Sequence, residues 1–169
     1  MKKLPIGIDV SMNTLDYYQV YQSAPAEKGI LDNIVASIEA FLSSKNPDEV
    51  YLVVEPTGTY SDKLFELAVK FGFEVRLAAP LKSSNYSSVL GIVNKTDQNA
   101  AYVLAKMGLN LDLPELHLPN KNMKERRQIQ MTLNSITKQC RMLKNQLHAL
   151  EQRLYVSQMA KTALQTSLA

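Results

Sequence analysis

Eight apolar residues toward the C-terminal end constrain this chain most. Ile129, Leu133, Ile136, Cys140, Leu143, Leu147, Leu150 and Leu154 follow one another at spacings of 4-3-4-3-4-3-4. A 3.5-residue repeat kept up this long fits a helix that pairs along a seam, and a homodimer or higher oligomer is the expected product. Residues 121–169 are therefore read as a helical coiled-coil arm, and a globular core must be built from what precedes it. The stretch LDLPELHLPN, punctuated by Pro114 and Pro119, reads as a linker over residues 113–120.

Charge divides at the same place. Residues 1–118 carry a net charge of −4 and residues 119–169 a net charge of +7, which together give the overall +3. Lys121, Lys124, Arg126 and Arg127 cluster before the seam, and Lys138, Arg141 and Lys144 lie off it. A basic arm on an acidic body points to a polyanion, so these residues are read as nucleic-acid-binding. Backbone contacts of that kind make binding strongly salt-dependent. A dimer stalk with merely solvated charges is the plainer alternative.

No apolar run reaches the ~18 residues of a membrane span. The start, MKKLPIGIDV, lacks the apolar region and cleavage site of a signal peptide. Cys140 is the only cysteine, which leaves no intrachain disulfide and no cysteine-based zinc site. His117 and His148 are isolated. A cytoplasmic protein without a membrane partner is expected.

The body, residues 1–112, alternates strand and helix signals. LPIGIDVS reads as a strand with Ile6, Ile8 and Val10 on one face and Gly7, Asp9 and Ser11 on the other. LDYYQVYQ follows a short turn, which predicts an antiparallel hairpin. Ile34, Ile38, Phe41 and Leu42 have helical spacing, and YLVV is a short buried-strand run ended by Pro56 and Gly58. A helix is expected from an N-cap at Ser61 to a left-handed C-cap at Gly72. FEVRLAAP reads as a strand and LKSSNYSSVLGIVN as a loop or short helix. A last helix runs from Thr96 and ends at Gly108. The pattern is that of an α/β sheet with covered faces.

Three carboxylates stand out on these elements. Asp9 is a charge in mid-strand, expensive unless paired or metal-bound. Gly7 beside it has no side chain to obstruct a ligand. Glu55 ends a buried strand, where sites form in α/β sheets. Asp97 opens a helix, with residue 100 one turn further on the same face. Brought together, they would suit Mg²⁺, which takes oxygen ligands and completes its shell from substrate phosphate. Without a cation they would repel one another. Asp97 as a helix-dipole acid and Glu55 as a solvated strand end are the bland readings.

The segments GIDVS, VVEPTG and NKTDQNAAYVLA, in this order, resemble the DEDD insertion-sequence transposases, which include the Piv/MooV invertases and the bridge-RNA-guided recombinases. The resemblance covers residues 4–110. It implies a ribonuclease-H-like (RuvC-like) catalytic domain followed by a coiled coil. It also implies a Mg²⁺ or Mn²⁺ cofactor, DNA as substrate and a structured guide RNA as partner, at work in the prokaryotic nucleoid. Asp9, Glu55 and Asp97 match the first three acidic residues, and Lys95 in the KTD segment is expected to contact nucleic acid.

The family's fourth aspartate stands three residues after the third, where this chain has Ala100. Loss of that carboxylate would deprive one metal of a ligand and impair cleavage, and a deliberate replacement is the expected reason. Nothing after Leu154 resembles the family's serine-bearing C-terminal domain, and neither Ser157 nor Ser167 has a supporting motif. The chain is thus expected to be the N-terminal part of a longer recombinase, unable to complete recombination alone. Two other classes compete. A non-catalytic RNA/DNA-binding scaffold would bind equally with or without Mg²⁺. An actin-like ATPase would need a second lobe and a phosphate loop.

Overall fold

The computed structural model describes residues 3–92, 94, 96–119 and 121–168, with Lys121 and Lys124 described by backbone alone. The chain divides into two compact units, Met1–Leu118 and Pro119–Ala169.

The first unit is built on β1 (Leu4–Val10), β2 (Thr14–Gln19), β3 (Glu27–Asp32), β4 (Val50–Val54) and β5 (Val75–Leu77). Their order is β3-β2-β1-β4-β5. β3, β2 and β1 pair antiparallel, and β1, β4 and β5 run parallel. Four helices accompany them: α1 (Val35–Ser43), α2 (Asp62–Lys70), α3 (Pro80–Val89) and α4 (Asp97–Asn110). This is the ribonuclease-H-like α/β class that the resemblance implied.

Alternation along the strands decides what lies on each face. Ile6, Ile8 and Val10 join Leu52, Val54, Ile38, Leu42, Leu64 and Ala68 in one buried cluster. Tyr51 and Val53 face the other way, against Val103, Leu104 and Met107 of α4. Each fully buried Ile or Leu contributes about 1.5–3 kcal/mol of transfer free energy. With both faces covered, β4 reads as the unbroken apolar run seen in the sequence.

Five local features depart from the sequence reading or decide between its alternatives. First, β3 was not foreseen, because EKGILD alternates weakly. It is fastened instead by side chains: Tyr17 (3.0 Å) and Tyr21 (2.6 Å) donate to Glu27, and Lys45 pairs with it at 2.9 Å. Those donors hold the Glu27 carboxyl down to about 2, the Tyr21 hydroxyl having the largest effect. Second, Ser61 is not a side-chain cap. It closes a 3-10 turn over Gly58–Ser61, and its hydroxyl accepts from the Thr57 amide. Gly72 does adopt positive φ, at 80°.

Third, LKSSNYSSV, read as a loop or short helix, is the helix: it belongs to α3, which starts on Pro80 at its first turn. Fourth, Gly108 does not end α4 but lies inside it, packed on the sheet. A Cβ there would come within 2.7 Å of both Pro5 Cβ and Val53 Cγ2, and the Tyr51 hydroxyl donates to the Gly108 carbonyl at 2.6 Å. Fifth, residues 113–118 dock beside β5. The Leu77 amide donates to Pro114 O and the Leu116 amide to Val75 O, both at 2.8 Å, and Leu113 is buried. The prolines break regular structure there, yet the apolar side chains still find core to cover.

The second unit contains α5 (Lys121–Glu151) and α6 (Gln158–Thr166). Seven of the eight seam residues lie on α5. Leu154 lies beyond its end and is fully exposed. The chain turns there because a second helix follows: Ser157 caps α6, and Lys161 pairs with Glu151 at 2.8 Å. The sequence had offered no cap in this region. Among the described residues, no helix is long and apolar enough to cross a membrane.

Candidate active site

The first carboxylate comes from the end of β1. Asp9 points to the face opposite Ile8, and its strand neighbour Gly7 lies under α4. A Cβ on Gly7 would collide with the Ala101 carbonyl oxygen and the Ala105 amide nitrogen, and would reach Ala105 Cα at 3.1 Å. Gly7 therefore makes room for a helix backbone, and the ligand role expected of it is replaced by this one. The close crossing brings the first turn of α4, and with it Asp97, to Asp9.

Glu55 follows directly on β4. Parallel pairing of Ile8 with Val54 sets Glu55 laterally next to Asp9. The Thr57 hydroxyl donates to the Val10 carbonyl at 3.0 Å and ties the PTG turn to the end of β1. The hydroxyl of Ser83, a nearly buried residue of α3, donates to the Glu55 carboxylate. Thr96 caps α4 by accepting from the Asn99 amide at 3.2 Å, which fixes the turn that carries Asp97.

Asp9, Glu55 and Asp97 line one open cavity of ≈ 330 Å³, and Ala100 lines it too. Position 100 thus faces the same space as the three acids. Burial raises the Asp9 carboxyl from 3.8 to about 6, assisted by the negative charges of Asp97, Glu55 and Asp16 in that order. Asp9 therefore senses the acids around it.

Sequence reasoning missed three residues around this cavity. Asp16 on β2 is paired directly opposite Asp9 and is buried. Gln98 donates to Asp16 at 2.6 Å and to the Gly29 carbonyl at 3.1 Å, tying α4 to β2 and β3. Ser83 is the third. No spacing announces them, because the register of β1 on β2 and the seat of α3 bring them in. The period of LDYYQ indicated a strand but not its partner residues.

Oxygen donors around an open cavity fit a hard divalent cation that retains water and borrows ligands from a phosphate. Among the described residues, no group of three or more acids, histidines or cysteines stands close enough together to hold a metal ion. Of the nucleic-acid-binding residues expected from the sequence, Arg126, Arg127, Lys138, Arg141 and Lys144 are exposed on α5. Lys95 lies outside the described residues, as do the side chains of Lys121 and Lys124.

A sequence model for DEDD transposases of the IS110 type, described as Transposase, matches residues 6–155. The chain belongs to the DEDD transposase family. Two curated relatives are similar to this DEDD transposase, the pilin gene-inverting proteins of Moraxella bovis and Moraxella lacunata. Each is 31% identical over 118 residues, which cover 68% of this chain and 37% of the relative. The chain thus spans little more than a third of their length. Among solved structures, RuvC of T. thermophilus in complex with a Holliday junction substrate aligns with a TM-score of 0.49 and 13% identity. That alignment covers 68% of this chain and 100% of RuvC. Another Thermus thermophilus RuvC structure gives 0.47 and 14%, with 66% and 99% covered.

Proposed function

We propose that this chain is the part of a DNA transposase that carries metal-dependent strand cleavage and exchange, directed by a structured RNA. The observation that supports this most is the meeting of Asp9, Glu55 and Asp97 around one open cavity in a member of the DEDD family. In this reading the three carboxylates hold Mg²⁺ or Mn²⁺. A divalent ion held there supplies Lewis acidity toward a phosphodiester and neutralises charge building on its oxygens.

The chain's own groups set the geometry. Ser83 orients Glu55 by its hydrogen bond, Thr96 fixes the turn of Asp97, and Thr57 keeps the two strand ends together. Asp9 is held where its charged form is disfavoured until a cation arrives. Ala100 brings a methyl where a fourth carboxylate would complete the set, so this copy binds metal weakly and cuts poorly.

The α5 seam serves self-association: Ile129, Leu133 and Ile136 are 60%, 53% and 50% exposed along one helix. Lys138, Arg141 and Lys144, at three-residue spacing, run along one side of α5 and contact phosphates of DNA or of the guide RNA. Such a protein works at DNA in the prokaryotic cytoplasm.

Calorimetric titration with Mn²⁺, paired with a DNA-nicking assay, tests the assignment. Ala100→Asp should tighten Mn²⁺ binding and raise nicking, and Asp9→Asn should abolish both. Unchanged binding and nicking in both variants would overturn the site. A second reading, a non-catalytic nucleic-acid-binding scaffold, is favoured by Ala100 itself. It expects Ala100→Asp to bind the ion without any gain in nicking.

A further inference from the structure

A second recess adjoins the carboxylate cavity. It is lined by Tyr18, Lys28, Ile92, Gln98, Asn99 and Tyr102, with a volume of ≈ 280 Å³. Ile92 and Asn99 line both spaces, so the two adjoin. Its walls differ in kind from those of the first: two phenol rings and a cation replace the acids.

The recess is laid out along α4. Gln98, Tyr102 and Lys106 recur every fourth residue and share one side of the helix. Tyr102 lies five residues beyond Asp97, about 7.5 Å along the axis at 1.5 Å per residue. That is of the order of one nucleotide of extended strand. Tyr18, from β2, meets Tyr102 edge to face at 5.1 Å between ring centroids, and Lys106 Nζ lies 5.5 Å from the Tyr102 ring centre. Both rings are only half-buried, and Lys28 is exposed on the edge strand β3 with no acidic partner among the described residues.

Aromatic faces for bases and cations for phosphates, next to a site for a phosphodiester, are the elements of a single-strand track. We infer that the Tyr18–Tyr102–Lys28 recess holds the nucleotide adjoining the scissile phosphate of a DNA strand. This rests on the proposed function, since it takes Asp9, Glu55 and Asp97 as the place where the phosphate sits. One base stacks on the exposed phenol surface, and Lys28 meets the phosphate on its far side. The cations here offset the acids next door, which alone would repel the strand.

Photo-crosslinking locates the strand independently of the basic arm. The probe is a single-stranded DNA of about 12 nucleotides, with 5-iododeoxyuridine in place of thymidine, irradiated on the full chain with Mg²⁺ present. Peptide mapping should place a cross-link on Tyr102 or Tyr18. Tyr102→Phe should keep that cross-link, while Tyr102→Leu, which preserves apolar bulk but not a flat ring, should reduce it about tenfold. Lys28→Ala should lower the slope of log affinity against log salt by about 0.7, the single-strand value for one phosphate contact. If the probe binds and cross-links only to residues of α5, the recess inference is overturned while the proposed function stands. If the probe does not bind at all, both are overturned.

Discussion

Ala101 of α4 rests its backbone carbonyl directly on Gly7 of β1, at a separation that no Cβ on residue 7 would permit. This contact decides how deeply the helix sits on the sheet, and so how near Asp97 comes to Asp9. Gly7→Ala should therefore do more than overpack a core. Because the obstruction is backbone, the helix must lift as a whole, and the loss should reach at least the ~1–3 kcal/mol typical of overpacking. Chemical denaturation measures that loss. Mn²⁺ titration should show weaker binding even where the variant remains folded.

Asp9 carries a pH signature. Its carboxyl titrates near 6 in the folded chain against an ordinary 3.8. Between those values the folded state keeps a proton that the unfolded chain has released, so stability falls as pH rises through that window. Asp9→Asn removes the dependence. The variant should match the parent below about pH 4 and exceed it above about pH 6 by roughly 1–2 kcal/mol, after allowance for solvent screening of a half-exposed group. Thermal melts across pH in metal-free buffer check this. Saturating Mg²⁺ should narrow the gap by stabilising only the parent.

Gln98 is the donor that satisfies buried Asp16. Gln98→Ala leaves that carboxylate without its amide partner, which costs about 1–3 kcal/mol. It also frees the first turn of α4 from Gly29. Hydrogen exchange should become faster at Ala101 and Tyr102 while the α2 amides stay unchanged. Equal acceleration in both helices would mean general destabilisation instead.

The seam on α5 predicts an oligomer. Sedimentation should give a dimer or larger species for the parent, and Ile136→Lys with Leu143→Lys should weaken association at least tenfold, because a charge on a heptad core position goes unpaired. In a parallel, in-register pair the two Cys140 residues face each other, and mild oxidant should cross-link them. Failure to cross-link points to antiparallel or intramolecular pairing.

Much of this protein was legible in its sequence, for reasons that are local. Alternation in LPIGIDV fixed the face of Asp9, the apolar run YLVV fixed a buried strand that ends at Glu55, and Thr96 before Asp97 marked a helix start. The heptad repeat announced a long helix, and seven of its eight positions lie on α5; it fails at Leu154, beyond Glu151, before Ser157 caps the next helix. Each of these signals depends on neighbours within one or two turns of chain.

What the tertiary structure alone decided depends on partners far apart in sequence. β3 needed Tyr17, Tyr21 and Lys45 around Glu27 before its weak alternation could become an edge strand. The prolines at 114 and 119 read as a linker, but the apolar residues between them lie along β5. Asp16 comes to face Asp9 only through strand register, and Ser83 reaches the cavity only through the seat of α3. Gly7, read as an opening for a ligand, is an opening for a helix. Sequence periodicity specifies which way a side chain points, whereas three-dimensional packing decides what it meets there.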